Sequence, residues 1–220
     1  MKIRTSPTYV GENLDGRIRT SGLPENLDRG IKIKVIIIRG NGVSVPSDNW
    51  FPYLEKELGV LGFDVKNKNF PDEVLAREKY WLPRIKELGA DENTILVGHS
   101  SGAVAAMRFA EKNKILGSVL VGACYTDLGD EDEKKSGYYN CPWEWEKIKN
   151  NQQWIVQFTS TDDPYIPIEE ARHISENLGT EYHEYTDEGH FGSDKGKIEF
   201  PELVEIIKNK MKKEGRNDKT

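Results

Sequence analysis

The chain of 220 residues contains only two cysteines, Cys124 and Cys141. Two are too few for a disulfide framework or a thiolate zinc site, and both read as reduced thiols of a reducing compartment. No apolar run is long enough to span a bilayer: the longest aliphatic stretch, Val35 to Ile38, has the length of a strand. The opening, Met1-Lys2-Ile3-Arg4-Thr5-Ser6-Pro7, lacks the apolar core of a secretion signal. A cytoplasmic protein with no membrane partner is therefore expected. Positive charge is not in excess, since 31 Lys and Arg stand against 37 Asp and Glu for a net charge of −6. That balance argues against a nucleic-acid partner. The short basic run at Lys208, Lys210, Lys212 and Lys213 closes a helical pattern, where cations complement the dipole. Histidine is scarce as well, at four, and no histidine and carboxylate cluster has metal-ligand spacing. No metal site is expected.

What is present alternates. Strand candidates lie at 33–38, 62–66, 94–98, 116–121, 153–158 and 181–186, and helical patterns at 48–58, 73–88, 101–112, 168–178 and 200–213. The first, third, fourth and fifth strands are almost wholly apolar, as strands covered on both faces of a parallel sheet should be. The last, Glu181-Tyr182-His183-Glu184-Tyr185, alternates polar with aromatic and reads as an edge. Alternating β and α predicts a doubly wound α/β sheet with its site at the carboxyl ends of the strands. Three regions stand apart. Residues 1–31 form an N-terminal extension holding a weak repeat, Glu12 to Arg19 against Glu25 to Lys32. Residues 122–150 are an aromatic excursion inside the domain at 32–213, and so long a connection is usually functional. Residues 214–220 read as a tail.

Gly98-His99-Ser100-Ser101-Gly102 follows the run Thr94 to Val97 and precedes small residues that open a helix. A serine framed by glycines between strand and helix reads as a nucleophile elbow, whose turn strains the serine and leaves no room for side chains beside it. A serine hydroxyl needs a base, and the base an acid to fix its tautomer. Of the histidines, His99 is inside the elbow, His173 in a helical pattern, taken as surface, and His183 in the edge strand; only His190 follows the last strand. The acid should follow the fifth strand, where the spacing Asp-x-x-Ile-Pro favours Asp163. Asp162 is the alternative, or else a cap for the loop, and Asp127 or Asp130 after the fourth strand are more distant choices. An oxyanion hole needs two backbone N–H groups. Ser101 supplies one; the other comes from Gly40-Asn41-Gly42-Val43, with Gly42 and Val43 as candidates. Candidate pocket residues are Asn41, His99, Tyr125, Trp143 and Trp145. The two tryptophans are two apart near a helix start and so should face different sides, one on the core and one on the pocket, unless both are core. The acidic run Asp127 to Glu133 reads as a solvated loop or, less simply, as a wall for a cationic group.

Several segments together resemble the retinoblastoma-binding protein 9 family of serine hydrolases: Gly40-Asn41-Gly42, Phe70-Pro71-Asp72, Ala76-Arg77-Glu78, Trp81-Leu82-Pro83, the elbow with Ala103, Thr126 to Glu131, Pro142 to Ile148, Ser160 to Pro164, and Gly189-His190-Phe191. The resemblance spans about 32–213 and implies a compact α/β-hydrolase: a three-layer αβα sandwich on a six-stranded parallel sheet in the order 2-1-3-4-5-6. It implies the same triad of Ser100, Asp163 and His190 and small esters, amino-acid esters included, as substrates; the constellation itself points to a small carboxylic ester, thioester or amide cleaved without a cofactor, since serine hydrolysis needs none. Arg39 stands where the family tends to have proline. The family's pocket-protein motif L-x-C-x-E aligns with Leu88-Gly89-Ala90-Asp91-Glu92, so with Ala90 in place of cysteine a retinoblastoma-type partner is not expected. Two other readings remain: a hydrolase fold that docks a partner through residues 1–31, and an acyltransferase using the same triad.

Overall fold

The computed structural model describes residues 32–42, 44–192 and 194–217, with side chains as far as Lys212. The expected N-terminal extension and its repeat, and Val43, lie outside the described residues. Six strands, β1 (Lys34–Ile38), β2 (Asp64–Asn67), β3 (Thr94–His99), β4 (Gly117–Val121), β5 (Trp154–Ser160) and β6 (Glu181–Tyr185), form one sheet in the order β2-β1-β3-β4-β5-β6, every neighbouring pair parallel. Helices α1 (Phe51–Val60), α2 (Glu78–Glu87), α3 (Ser101–Ala110), α4 (Glu131–Ser136), α5 (Trp145–Asn150), α6 (Ile168–Leu178) and α7 (Pro201–Asn217) cover it.

The apolar strands hide a period of two. Ile36, Ile38, Leu96 and Leu120 pack with α2, α3, α5 and α6 on one face; Val35, Ile37, Ile95, Val97, Val119 and Val121 pack with α1 and α7 on the other. Burial on both faces is why those strands read as unbroken apolar runs. Three expected elements shift. α1 begins only after Asn49, which takes φ +48, and α2 begins after a turn in which Asp72 and Ala76 take φ of +54 and +50. The Asp72 carboxylate holds that turn through Arg77, at 2.7 and 2.6 Å. α7 runs on to Asn217, into the stretch expected as a tail. Among the described residues no helix is long and apolar enough to cross a membrane.

Candidate active site

Every loop that leaves the sheet at its carboxyl end brings one component to a single cavity of about 1130 Å³. β3 ends in the elbow. Ser100 takes φ +55 and ψ −125, a region that only close surroundings sustain in a residue with a side chain. Those surroundings are steric. A Cβ on Gly98 would lie 2.4 Å from the Gly102 carbonyl, and one on Gly102 would lie 2.0 Å from that of Ile38. α3 starts at Ser101 with all ten residues buried, and the Ser101 N–H stands at its amino end beside the cavity.

Asp163 follows β5. Its Oδ1 accepts the backbone N–H groups of Tyr165 and Ile166, at 2.9 and 3.0 Å, in a turn that buries the Ile166 side chain. Its Oδ2 lies 2.7 Å from His190 Nδ1, in a pair whose side chains are 1% and 12% exposed. A carboxylate at Nδ1 leaves Nε2 free to take a proton. Gly122, at the end of β4, makes the seat for the ring: a Cβ there would lie 3.0 Å from His190 Cε1. His190 and Ser100 line the same cavity.

Asp162 faces away from this pair. One oxygen meets Lys195 at 2.7 Å, and the other accepts Ser160 Oγ–H at 2.6 Å and Gly189 N–H at 2.8 Å; Lys195 first and these bonds after it hold the carboxyl down at about 2. It ties down the loop that carries His190. Asp194 does the same through His190 N–H and Gly192 N–H, at 2.8 and 3.2 Å. Asp130 caps α4 through the N–H groups of Asp132 and Glu133, and Asp127 accepts Gly129 N–H. His99 is buried, and its Nε2–H donates to the His190 carbonyl at 2.7 Å. Burial, and next the charge of His190, push its pKa from 6.5 down to about 3, so the ring stays neutral.

Of the expected pocket residues, Asn41 and His99 line the cavity; Tyr125, Trp143 and Trp145 are not among its lining residues. They pack against the core cluster on the α3 face of the sheet. The rings of Trp143 and Trp145 lie face to face at 5.3 Å, since Trp143 precedes α5 and helical spacing does not apply to it. Tyr125 stacks at 4.0 Å on His173, which is half-buried rather than a surface residue. Buried Arg108, from α3, lies 3.6 Å over the Trp143 ring and donates to Glu111 and to the carbonyls of Tyr138, Cys141 and Pro142. Arg39 is buried beside the Gly40 loop; it donates to Asn69 at 3.3 Å, and its Nε and Nη1 have no partner among the described residues. Lining residues not singled out from the sequence include Asp48, Val74 and Tyr165. Nothing local in the sequence marks them, because three separate loops deliver them.

The family model described as Serine hydrolase matches residues 35–209. Over 181 residues the chain is 44% identical to Serine hydrolase RBBP9 of Rattus norvegicus, covering 81% of this chain and 95% of that protein. It is 26% identical over 188 residues to YdeN of Bacillus subtilis strain 168, covering 83% and 98%. The crystal structure of the ydeN gene product superposes with a TM-score of 0.74 over 82% of this chain and 98% of that one.

Proposed function

The chain belongs to the serine hydrolase family, and from that premise we propose that it cleaves small carboxylic esters, thioesters or amides through an acyl-serine intermediate. The observation that carries this is the buried Asp163–His190 bond of 2.7 Å opening on the cavity that Ser100 lines. Ser100 Oγ attacks the acyl carbon while His190 Nε2 takes its proton. Asp163 accepts Nδ1–H and stabilises the imidazolium that forms. The N–H of Ser101 and one from the Gly42–Val43 loop bind the oxyanion. His190 then returns the proton to the leaving alcohol, thiol or amine, and a water repeats the sequence to release the acid.

For the substrate, the lining supports a group with positive charge beside an apolar one, as in an amino-acid ester. Asp48, Asp130 and Asp132 give the wall negative charge, and among the described residues neither Lys nor Arg lines it. Val74, Leu128 and Tyr165 form an exposed apolar rim. Labelling with a fluorophosphonate, with the adduct mapped by mass spectrometry, tests the nucleophile. Modification of Ser100 is expected, and Ser100→Ala should lower turnover by about 10⁴ to 10⁶-fold. A folded chain labelled elsewhere or not at all would refute it. An amino-acid ester should be cleaved faster than its N-acetylated form; equal rates would remove the cationic preference.

A further inference from the structure

The loop after β1 is held unevenly. At Gly40 a Cβ would lie 3.1 Å from Ser100 Cβ, so this end is wedged against the elbow. At Gly42, which takes φ +87, a Cβ would find nothing within 4 Å among the described residues. Among the described residues, packing therefore fixes the loop at Gly40 and not at Gly42. Between them stands Asn41, whose Nδ2 donates to Glu133 Oε1 at 2.8 Å. The other Glu133 oxygen accepts from the Tyr139 hydroxyl at 3.3 Å, and Tyr139 Oη is 3.2 Å from Cys124 Sγ, just beyond β4. Its neighbours Glu131 and Asp132 pair with Lys134 and Lys135 at the surface, so in the acidic run it is Glu133 that turns inward. A half-buried carboxylate with a donor on each oxygen is a joint between two segments rather than a free acid.

We propose that Glu133 is a positioning residue for the oxyanion loop: by holding the Asn41 side chain it fixes the backbone on which the Gly42 N–H is carried. The proposal rests on the serine hydrolase reading above. Oxyanion donors are effective when they already stand where charge will develop, and a glycine-flanked loop without packing does not keep such a position unaided. α4 thereby joins the aromatic excursion to the reacting centre, although it contributes no group to the chemistry.

The test uses the full chain and a neutral short ester, p-nitrophenyl acetate, with kcat and KM measured separately and thermal unfolding recorded. Glu133→Ala and Asn41→Ala should each lower kcat about 10 to 100-fold, a fraction of the loss on deleting an oxyanion donor, with KM changed less than about twofold. Glu133→Gln keeps an acceptor for Asn41 and should recover most of that kcat. The double variant should be no worse than either single variant, since both break one bond. Glu133→Gln as slow as Glu133→Ala, losses that multiply, or an effect confined to KM would each overturn the proposal. If Glu133→Ala does not fold, Asn41→Ala and Glu133→Gln decide it. Wild-type activity that survives Ser100→Ala would sink the hydrolase reading and this proposal with it; wild-type activity that needs Ser100 but ignores Glu133 and Asn41 would sink this proposal alone.

Discussion

The elbow and the loop around His190 are held in place by opposite means. At the elbow, shape excludes every alternative: Gly98 and Gly102 stand where a single added carbon would lie inside backbone atoms. The loop around His190 is instead suspended from polar groups. Asp162, Asp194 and Ser160 hold its N–H groups, His99 holds the His190 carbonyl, and Trp50 Nε1 holds that of Phe191 at 2.8 Å. Steric exclusion is all-or-none, whereas a set of hydrogen bonds loses strength one member at a time. Hence the elbow should fail abruptly when changed and the loop should degrade by steps.

The largest effect expected falls on the link that serves both. Asp163→Asn should reduce kcat about 10⁴-fold with little change in unfolding midpoint, because it preserves shape but favours the wrong His190 tautomer. Gly102→Ala should destabilise the fold by about 3 kcal/mol or more, read from the urea midpoint; a loss under about 1 kcal/mol would break the contrast. Asp194→Ala, by comparison, should cost about 1 to 2 kcal/mol and leave measurable activity. His99 sharpens the polar side through pH. Its folded pKa of about 3 lies below the ordinary 6.5, so its contribution is complete above pH 6.5 and fades as pH falls toward 3. Between pH 7 and 5 the wild type should lose about 2 kcal/mol more than His99→Gln, which keeps a donor without titrating. The smallest effect belongs to Asp162. With its carboxyl held at about 2, its contribution is present above the ordinary value of 3.8 and is lost as pH falls through 2. The stability gap between wild type and Asp162→Asn should therefore narrow from pH 5 to pH 2; a constant gap would mean that its charge plays no part.

The same contrast explains what could be read from the chain. The apolar strands and the Gly-x-Ser-x-Gly spacing are legible because burial and exclusion each demand particular residue types at particular intervals. Asp163 is legible through the apolar residue three places on, because the turn it closes buries Ile166. α4 does not show in the sequence as a helix, since five of its six residues, Glu131 to Lys135, are charged and form no apolar stripe. Its signal was the cap, Asp130 followed three residues later by Glu133. Trp143 and Trp145 stack instead of facing different sides because Trp143 lies ahead of the helix, where a helical period does not apply. Asn41 and Glu133 were each visible but not as partners, because they are 92 residues apart and join only through the sheet order.

Arg108 lies one helix away from the nucleophile, on a helix with no exposed face. Its guanidinium serves three carbonyls of the excursion as well as Glu111, so the covering segment is bolted to the same rod that carries Ser100 at its other end. Exchanging that segment for one of another shape would strand buried donors on the helix that carries the reactive serine. Diversification of such a scaffold should therefore run through the rim residues Val74, Leu128 and Tyr165, where side chains can change without disturbing the bolt.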